Sequence, residues 1–213
     1  MIKAVLFDFD GTLVNNMKYH YRAYKKVLTK LGIKLKPNDI YLIEGKRGEE
    51  IVSLILKKSG IKANIEEIVK EKRKLYNQIA KDLKINQEAR ELIINLKSIG
   101  IKTGIVTGGK RKNVIKTLGN DKSLFDIMIC GDDVKNSKPD PEPYIKCCKK
   151  LNLSPSECIV IENAPLGILS AKRAGMTCIS ITTTLSKKHL QNADFIVKDF
   201  NEIREILKKQ IKF

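Results

Sequence analysis

Asp8 and Asp10 are the residues whose type and spacing first suggest chemistry. They sit in the run Asp8-Phe9-Asp10-Gly11-Thr12-Leu13-Val14, directly after the apolar stretch Ile2 to Phe7. In an extended chain, residues i and i+2 project from the same face. The two carboxylates therefore point together where a strand ends, and Gly11 allows the chain to turn tightly behind them. Carboxylates held that close repel unless a cation or a shared proton lies between them. A hard divalent ion with oxygen ligands, such as Mg²⁺, meets that need. A pair of solvated turn aspartates would show the same spacing, so the pattern takes its meaning from what accompanies it.

Three further segments accompany it. Thr107-Gly108-Gly109 follows the apolar run Ile101 to Val106. A hydroxyl and free backbone N–H groups at that point can cradle a phosphate, although Thr-Gly-Gly is also an ordinary loop. Lys138 lies in Ser137-Lys138-Pro139-Asp140-Pro141, where two prolines stiffen the backbone that aims it. Glu162-Asn163 directly follows the apolar run Cys158 to Ile161. These two side chains can complete a metal site, and Asn163 can equally cap a helix opened by Pro165.

These segments need elements to position them. Apolar runs at 2–7, 101–106, 125–130, 158–161, 177–181 and 194–197 read as buried strands. Helical patterns alternate with them. Ala89, Leu92, Ile93 and Leu96 share one helical face, as do Ile203, Ile206 and Leu207. Asp140 before Pro141 predicts an N-cap and first helical residue. Pro165 and Gly175 predict the start and stop of another helix, and Asp199 with Glu202 predicts a capping box. Strand–helix alternation predicts an α/β fold with a Rossmann-like parallel sheet core flanked by helices. Each candidate segment follows a strand, so all four converge on one edge of the sheet.

Residues 16–85 break the rhythm. They contain no convincing strand and read as helices near 17–31, 48–59 and 64–82, with a short one after Pro37. This block predicts an inserted all-helical cap domain at 16–85. The core domain would then comprise 1–15 and 86–213, with hinges near Val14–Met17 and Leu83–Glu88.

Composition excludes several classes. The chain has 213 residues, of which 42% are hydrophobic and 31% charged, which argues against overall disorder. No apolar run approaches the ~18 residues that span a bilayer. Asp8 and Asp10 interrupt the only N-terminal apolar stretch, so no signal peptide is expected and the expected location is cytoplasmic. The five cysteines form no CxxC pair, and Cys130, Cys158 and Cys178 read as small buried hydrophobes. The net charge of +17 raises the question of nucleic acid. Its lysines are spread along the whole chain without interleaved stacking aromatics, so solvated helix faces explain them and no nucleic-acid partner is expected. No apolar stripe is left over after the core is assigned, which predicts a monomer or a weak homo-oligomer.

In order and context, the Asp-x-Asp-Gly-Thr, Thr-Gly, Ser-Lys-Pro-x-Pro and Glu-Asn-Ala-Pro-Leu-Gly-Ile segments resemble the haloacid dehalogenase-like superfamily. The resemblance covers essentially the whole chain and is closest to the phosphatase and β-phosphoglucomutase branch with a helical cap. It implies that Asp8 is a nucleophile forming an aspartyl-phosphate, and that Asp10 is the acid and base. It implies Mg²⁺ held by Asp8, the Asp10 carbonyl and the Glu162-Asn163 pair. Thr107, the N–H of Gly108 and Lys138 would bind the transferring phosphoryl group, and Lys138 would also stabilise the charged Asp8. The second aspartate of the first motif, Asp10, favours phosphoryl transfer over dehalogenation. Asn163 departs from the pattern, because many relatives carry a second acid there.

The cap would select the substrate. His20 shares a helix face with Tyr24, Val27, Leu28 and Leu31, consistent with a partly buried helix histidine. By the resemblance it would instead couple cap closure to catalysis. Lys46 and Arg47 lie in the loop Glu44-Gly45-Lys46-Arg47-Gly48, as a solvated turn or as cations reaching a substrate. The mutases carry an arginine at what looks like Gly48. The expected function is therefore a Mg²⁺-dependent phosphatase of small phosphorylated metabolites, such as sugar phosphates or phosphoglycolate. The alternative is a β-phosphoglucomutase-type isomerase.

Overall fold

The structure, a computed structural model, describes residues 1–211. Among the described residues six strands form one parallel sheet: β1 (Ala4–Phe7), β2 (Lys102–Val106), β3 (Ile127–Ile129), β4 (Cys158–Glu162), β5 (Thr177–Ile181) and β6 (Phe195–Val197). Their spatial order is β3-β2-β1-β4-β5-β6. The observed strands fall inside the apolar runs read from sequence, shortened at their ends, and β4 runs on to Glu162. Parallel strands need crossovers, and the helices α5 (Gln87–Ser98), α6 (Arg111–Leu118), α7 (Glu142–Leu151), α8 (Pro165–Arg173) and α9 (Phe200–Ile211) lie in or after them.

Each face of the sheet has its own core. Val5, Phe7, Ile105, Ile159, Ile161 and Ile179 pack against α5 and α9 through Leu92, Ile93, Leu96, Ile203 and Leu207. Ala4, Leu6, Val106, Val160 and Cys178 pack against α7 and α8 through Tyr144, Cys147, Ile168 and Ala171. The period-two alternation along β1 thus serves two layers of helices. All five cysteines are buried and free, Cys130, Cys158 and Cys178 among them as their apolar settings predict.

The helix boundaries follow local chemistry with small departures from the expected caps. Pro165 opens α8, and Gly175 takes φ +77° just beyond its last turn. α7 begins at Glu142, one residue later than read, while Asp140 Oδ1 still accepts from the Glu142 N–H at 2.8 Å, as a capping residue does. Asp199 accepts from the N–H groups of Asn201 and Glu202 at 2.9 Å. Glu202 reaches back to the N–H of Lys198 instead of that of Asp199, so the capping box spans one residue more.

Between β1 and α5 the chain forms α1 (Met17–Thr29), α2 (Pro37–Tyr41), α3 (Gly48–Ser59) and α4 (Ile65–Ile79). These helices bury their own cluster, in which Tyr24, Val27 and Leu28 of α1 meet Val52, Ile55 and Leu56 of α3 and Ile68 and Val69 of α4. The chain leaves and re-enters the core side by side, joined by a hydrogen bond from the Asn86 N–H to the Leu13 carbonyl at 2.8 Å. No helix among the described residues is long and apolar enough to cross a membrane.

Candidate active site

From β1 the chain proceeds to β2 and β3 on one side, while β4 pairs with β1 on the other. The carboxyl ends of β1 and β4 therefore flank the switch point of the sheet, where open α/β sheets leave a crevice for ligands. The Asp8 N–H donates to the Ile161 carbonyl at 2.9 Å and extends the pairing one step past β1. Asp8 keeps the parity of Ala4 and Leu6, and Glu162 that of Val160, so both face the α7 side of the sheet.

Lys138 joins them there. Its side chain is 1% exposed, and its ammonium donates to Asp8 Oδ1 at 2.7 Å, Glu162 Oε1 at 2.7 Å and the Val106 carbonyl at 2.8 Å. An ammonium has three N–H bonds, and all three are used. The contact with Asp8 is the one expected of a lysine that stabilises the charged aspartate. The two carboxylates outweigh the burial and raise the proton affinity of Lys138, so it stays charged.

Glu162 is more enclosed than its position at a strand end suggested. It accepts from Lys138, from the Tyr144 hydroxyl at 2.9 Å and from the N–H groups of Asn163 and Ala164 at 3.0 and 3.3 Å. A Cβ at Gly167 would collide with its carboxylate. Those bonds turn Glu162 toward Lys138 and the start of α8. Asn163 is buried, with Oδ1 accepting from Thr12 Oγ1 at 2.7 Å and Nδ2 donating to Glu44 at 3.0 Å and Thr184 at 3.1 Å. Its side chain does not cap α8, which begins with Ala164 at the N-cap position.

Asp8 itself is 4% exposed, and its second oxygen, Oδ2, is buried with no hydrogen-bond partner. Burial pushes its carboxyl well up, with Lys138 opposing and Glu162 and Asp10 adding to the shift. An orphaned, buried carboxylate oxygen beside other acids is the environment a hard cation relieves. The donor set of Asp8 Oδ2, the Asp10 carbonyl and Asn163 is all oxygen once the amide presents that atom, and so fits Mg²⁺. A tighter acidic cluster, Cys130 with Asp132 and Asp133, lies at the rim. Its acids are already engaged by Arg111 and by the Cys130 N–H.

Asp10 is fixed from the cap side. Asn16 Nδ2 donates to Asp10 Oδ1 at 2.5 Å and to the Tyr76 hydroxyl at 2.9 Å, while Asn16 Oδ1 accepts from the Gly11 N–H. His20 Nε2 lies 3.5 Å from the same Asp10 oxygen, and its Nδ1 is 2.7 Å from Lys72 Nζ. Burial favours neutral Asp10, but His20, Asn16 and Lys72 outweigh it and hold the carboxyl below its usual range. Burial and Lys72 together push His20 down, so the imidazole is neutral near pH 7. Lys72 as donor then fixes the tautomer, with the proton on Nε2 facing Asp10.

A cavity of about 440 Å³ lies over these groups, lined by Asp8, Asp10, His20, Thr107, Gly108, Lys46 and Arg47, together with Lys72, Arg73 and Lys110. Thr107 is buried and its Oγ1 accepts from the Gly109 N–H at 3.1 Å, which leaves the hydroxyl proton available. Lys46 enters no ion pair among the described residues. Arg47 is held by Glu50 and by the Lys135 carbonyl at 3.1 Å, and so ties the cap loop to the core. Glu50 in turn accepts from Ser137 at 2.6 Å. Asn16, Glu44, Lys72, Tyr76 and Tyr144 escaped the sequence reading. They lie on helices and loops whose polar positions resemble solvated ones until folding places them together.

The family profile for haloacid dehalogenase-like hydrolases matches residues 5–181. The chain belongs to that family of hydrolases. It is 34% identical over 208 residues to validoxylamine A 7'-phosphate phosphatase of Streptomyces hygroscopicus subsp. limoneus, covering 96% of this chain and 97% of that one. It is 31% identical over 182 residues to a phosphorylated carbohydrates phosphatase of Thermotoga maritima, covering 82% of each. Among solved structures, a β-phosphoglucomutase from Clostridium difficile superposes with a TM-score of 0.86 at 28% identity, covering all of both chains.

Proposed function

We propose that this chain is a Mg²⁺-dependent phosphatase of small phosphomonoesters, of the sugar phosphate or phosphoglycolate type, acting through an aspartyl-phosphate on Asp8. The observation that carries the reading is the state of Asp8. One oxygen is pinned by Lys138, and the other is buried and free beneath a cavity lined with cations. Two relatives are named for the phosphatases of validoxylamine A 7'-phosphate and of phosphorylated carbohydrates, which supports a small phosphorylated substrate.

A carboxylate oxygen of Asp8 attacks phosphorus, and the bond from phosphorus to the ester oxygen breaks on the opposite side. Asp10 is ionised in the free site. An arriving phosphate dianion raises its proton affinity, and it gives the proton it takes up to the leaving alkoxide. In the second half Asp10 removes a proton from water, whose oxygen attacks phosphorus and expels the Asp8 carboxylate. His20 and Asn16 orient Asp10 for both transfers. Thr107 Oγ1–H and the Gly108 N–H hold the phosphoryl oxygens, while Glu162 and Tyr144 keep Lys138 aimed. Asp8, the Asp10 carbonyl and Asn163 would hold Mg²⁺, which when bound offsets the charge between Asp8 and the phosphate and stabilises the transition state.

The test is phosphate release from a panel of hexose phosphates, phosphoglycolate and β-glucose 1-phosphate, with Mg²⁺ and with EDTA. Asp8→Asn should lower kcat by about a thousandfold or more, because the nucleophile cannot be replaced locally. Release that is unaffected by both EDTA and the mutation would sink the reading. A mutase is favoured by one observation, the His20–Asp10 contact beneath a closed cap, and by the structural likeness. It predicts glucose 6-phosphate from β-glucose 1-phosphate and a bisphosphate primer, with little free phosphate.

A further inference from the structure

Glu44 belongs to the cap loop between α2 and α3, yet its carboxylate reaches the core. It is 7% exposed, and Oε2 accepts from Asn163 Nδ2 at 3.0 Å. Oε1 is buried and has no hydrogen-bond partner. Glu44, Asp8 and Asp10 line one cavity, and burial, with the acids Asp8, Asp10 and Glu162 nearby, pushes the Glu44 carboxyl up. No ion pair among the described residues includes Glu44, and Lys138 is fully spent on Asp8, Glu162 and Val106. Two unpartnered carboxylate oxygens, one from the cap and one from the core, therefore lie buried in one acidic site. The fold brings the loop down deliberately. Gly45, at φ +96°, lies over the Lys138 stem, and the Gly45 and Lys46 carbonyls approach Gly108 so closely that a Cβ there would meet them at 2.7 and 3.0 Å.

We propose that Glu44 is a cap-borne ligand of the cation that Asp8 holds, so that the cap completes the metal site and cation binding draws the cap shut. The inference rests on the Mg²⁺ reading of the site. Asn163 fits the same arrangement. Turning its amide over exchanges oxygen for nitrogen, and the Thr12 and Thr184 hydroxyls can each donate or accept. The amide oxygen then faces Glu44 and the cation between them. A charged ligand from the cap offsets the charge that Asn163, as an amide, does not bring. Closure and cation affinity are then coupled reciprocally: a cation favours the closed cap, and opening the cap for product release removes a ligand.

The test uses the full chain without substrate. Mn²⁺ or Mg²⁺ binding is measured by calorimetry, melting temperature is followed with and without the metal, and cap position is followed by small-angle scattering or a cap–core distance probe. The variants are Glu44→Gln, which keeps the bond to Asn163, and Glu44→Asp, which keeps the charge but withdraws it. Glu44→Gln should weaken Mn²⁺ binding about tenfold or more and abolish metal-induced closure. Without metal it should melt no lower than the wild type, because it removes an unpaired buried charge. Glu44→Asp should fall between the two. Wild-type protein that binds Mn²⁺ and a Glu44→Gln variant that binds it equally tightly and closes equally would overturn this inference and leave the Mg²⁺ reading intact. Wild-type protein that binds neither metal would overturn the Mg²⁺ reading itself, and this inference with it.

Discussion

Lys72 shows how much one side chain can carry at this site. It stands on α4 of the cap, bonds His20, and lies 4.4 and 5.0 Å from the Tyr24 and Tyr76 ring centres. Burial holds its ammonium down at about 8, with Asp10 opposing and Arg73 adding to the effect. The consequence for function is a loss of positive charge above the cavity as pH rises through about 8. The kcat/KM for an anionic ester should fall on that limb, and Lys72→Met should lower kcat/KM near neutrality and flatten the limb. A pH–rate profile of the two proteins checks this. The sign for stability is opposite. Between a folded value of about 8 and an unfolded value of ~10.4 the unfolded chain binds more protons, so stability should rise with pH across that window, read as melting temperature. Among the acids, Asp8 and Asp10 were legible from their spacing together with the segments that accompany it. The pairing of Lys138 with Asp8 was expected from the resemblance, whereas its bond to Glu162 was not, because nothing in a sequence reveals how the three N–H bonds are shared.

At the scale of elements, the meeting of two loops decides whether the cap can close. The cap loop 44–47 settles on the turn after β2, and that turn settles on the one after β3. A Cβ at Gly131 would strike the Gly108 carbonyl, as one at Gly108 would strike the cap loop. Gly108→Ala should therefore hold the cap ajar. We expect kcat/KM to fall about a hundredfold with little change in melting temperature, since the added methyl burdens only the closed state. Steady-state kinetics and thermal melts on the same preparation check both halves. The strands and the helix starts were readable because period, proline and capping chemistry are local. The close approach of the three glycines was not, because Thr107-Gly108-Gly109 and Glu44-Gly45 read as ordinary turns until they touch.

For the whole molecule, charge is the long-range property that matters. The formal charge is +17, and the cavity wall carries Lys46, Lys72, Arg73 and Lys110. Such a field attracts anionic substrates over a distance set by the Debye length, about 30 Å at 0.01 M salt and about 8 Å at 0.15 M. KM for a phosphomonoester should rise with added salt while kcat stays nearly constant, measured at fixed Mg²⁺.

The sequence by itself determined the alternating elements, the helical block between β1 and α5, and the four segments after the strands that were read as the candidate site. It could do so because apolar periodicity and motif spacing record the backbone path, and in a parallel α/β sheet strand ends converge by topology. Only the tertiary structure decided how the charges are shared. It bound Lys138 to Asp8 and Glu162, gave Asp10 its partners in Asn16 and His20, and brought Glu44 down from the cap. Those contacts join residues as far apart as 130 positions in the chain. Their protonation and pairing depend on burial and distance, which a linear sequence does not state.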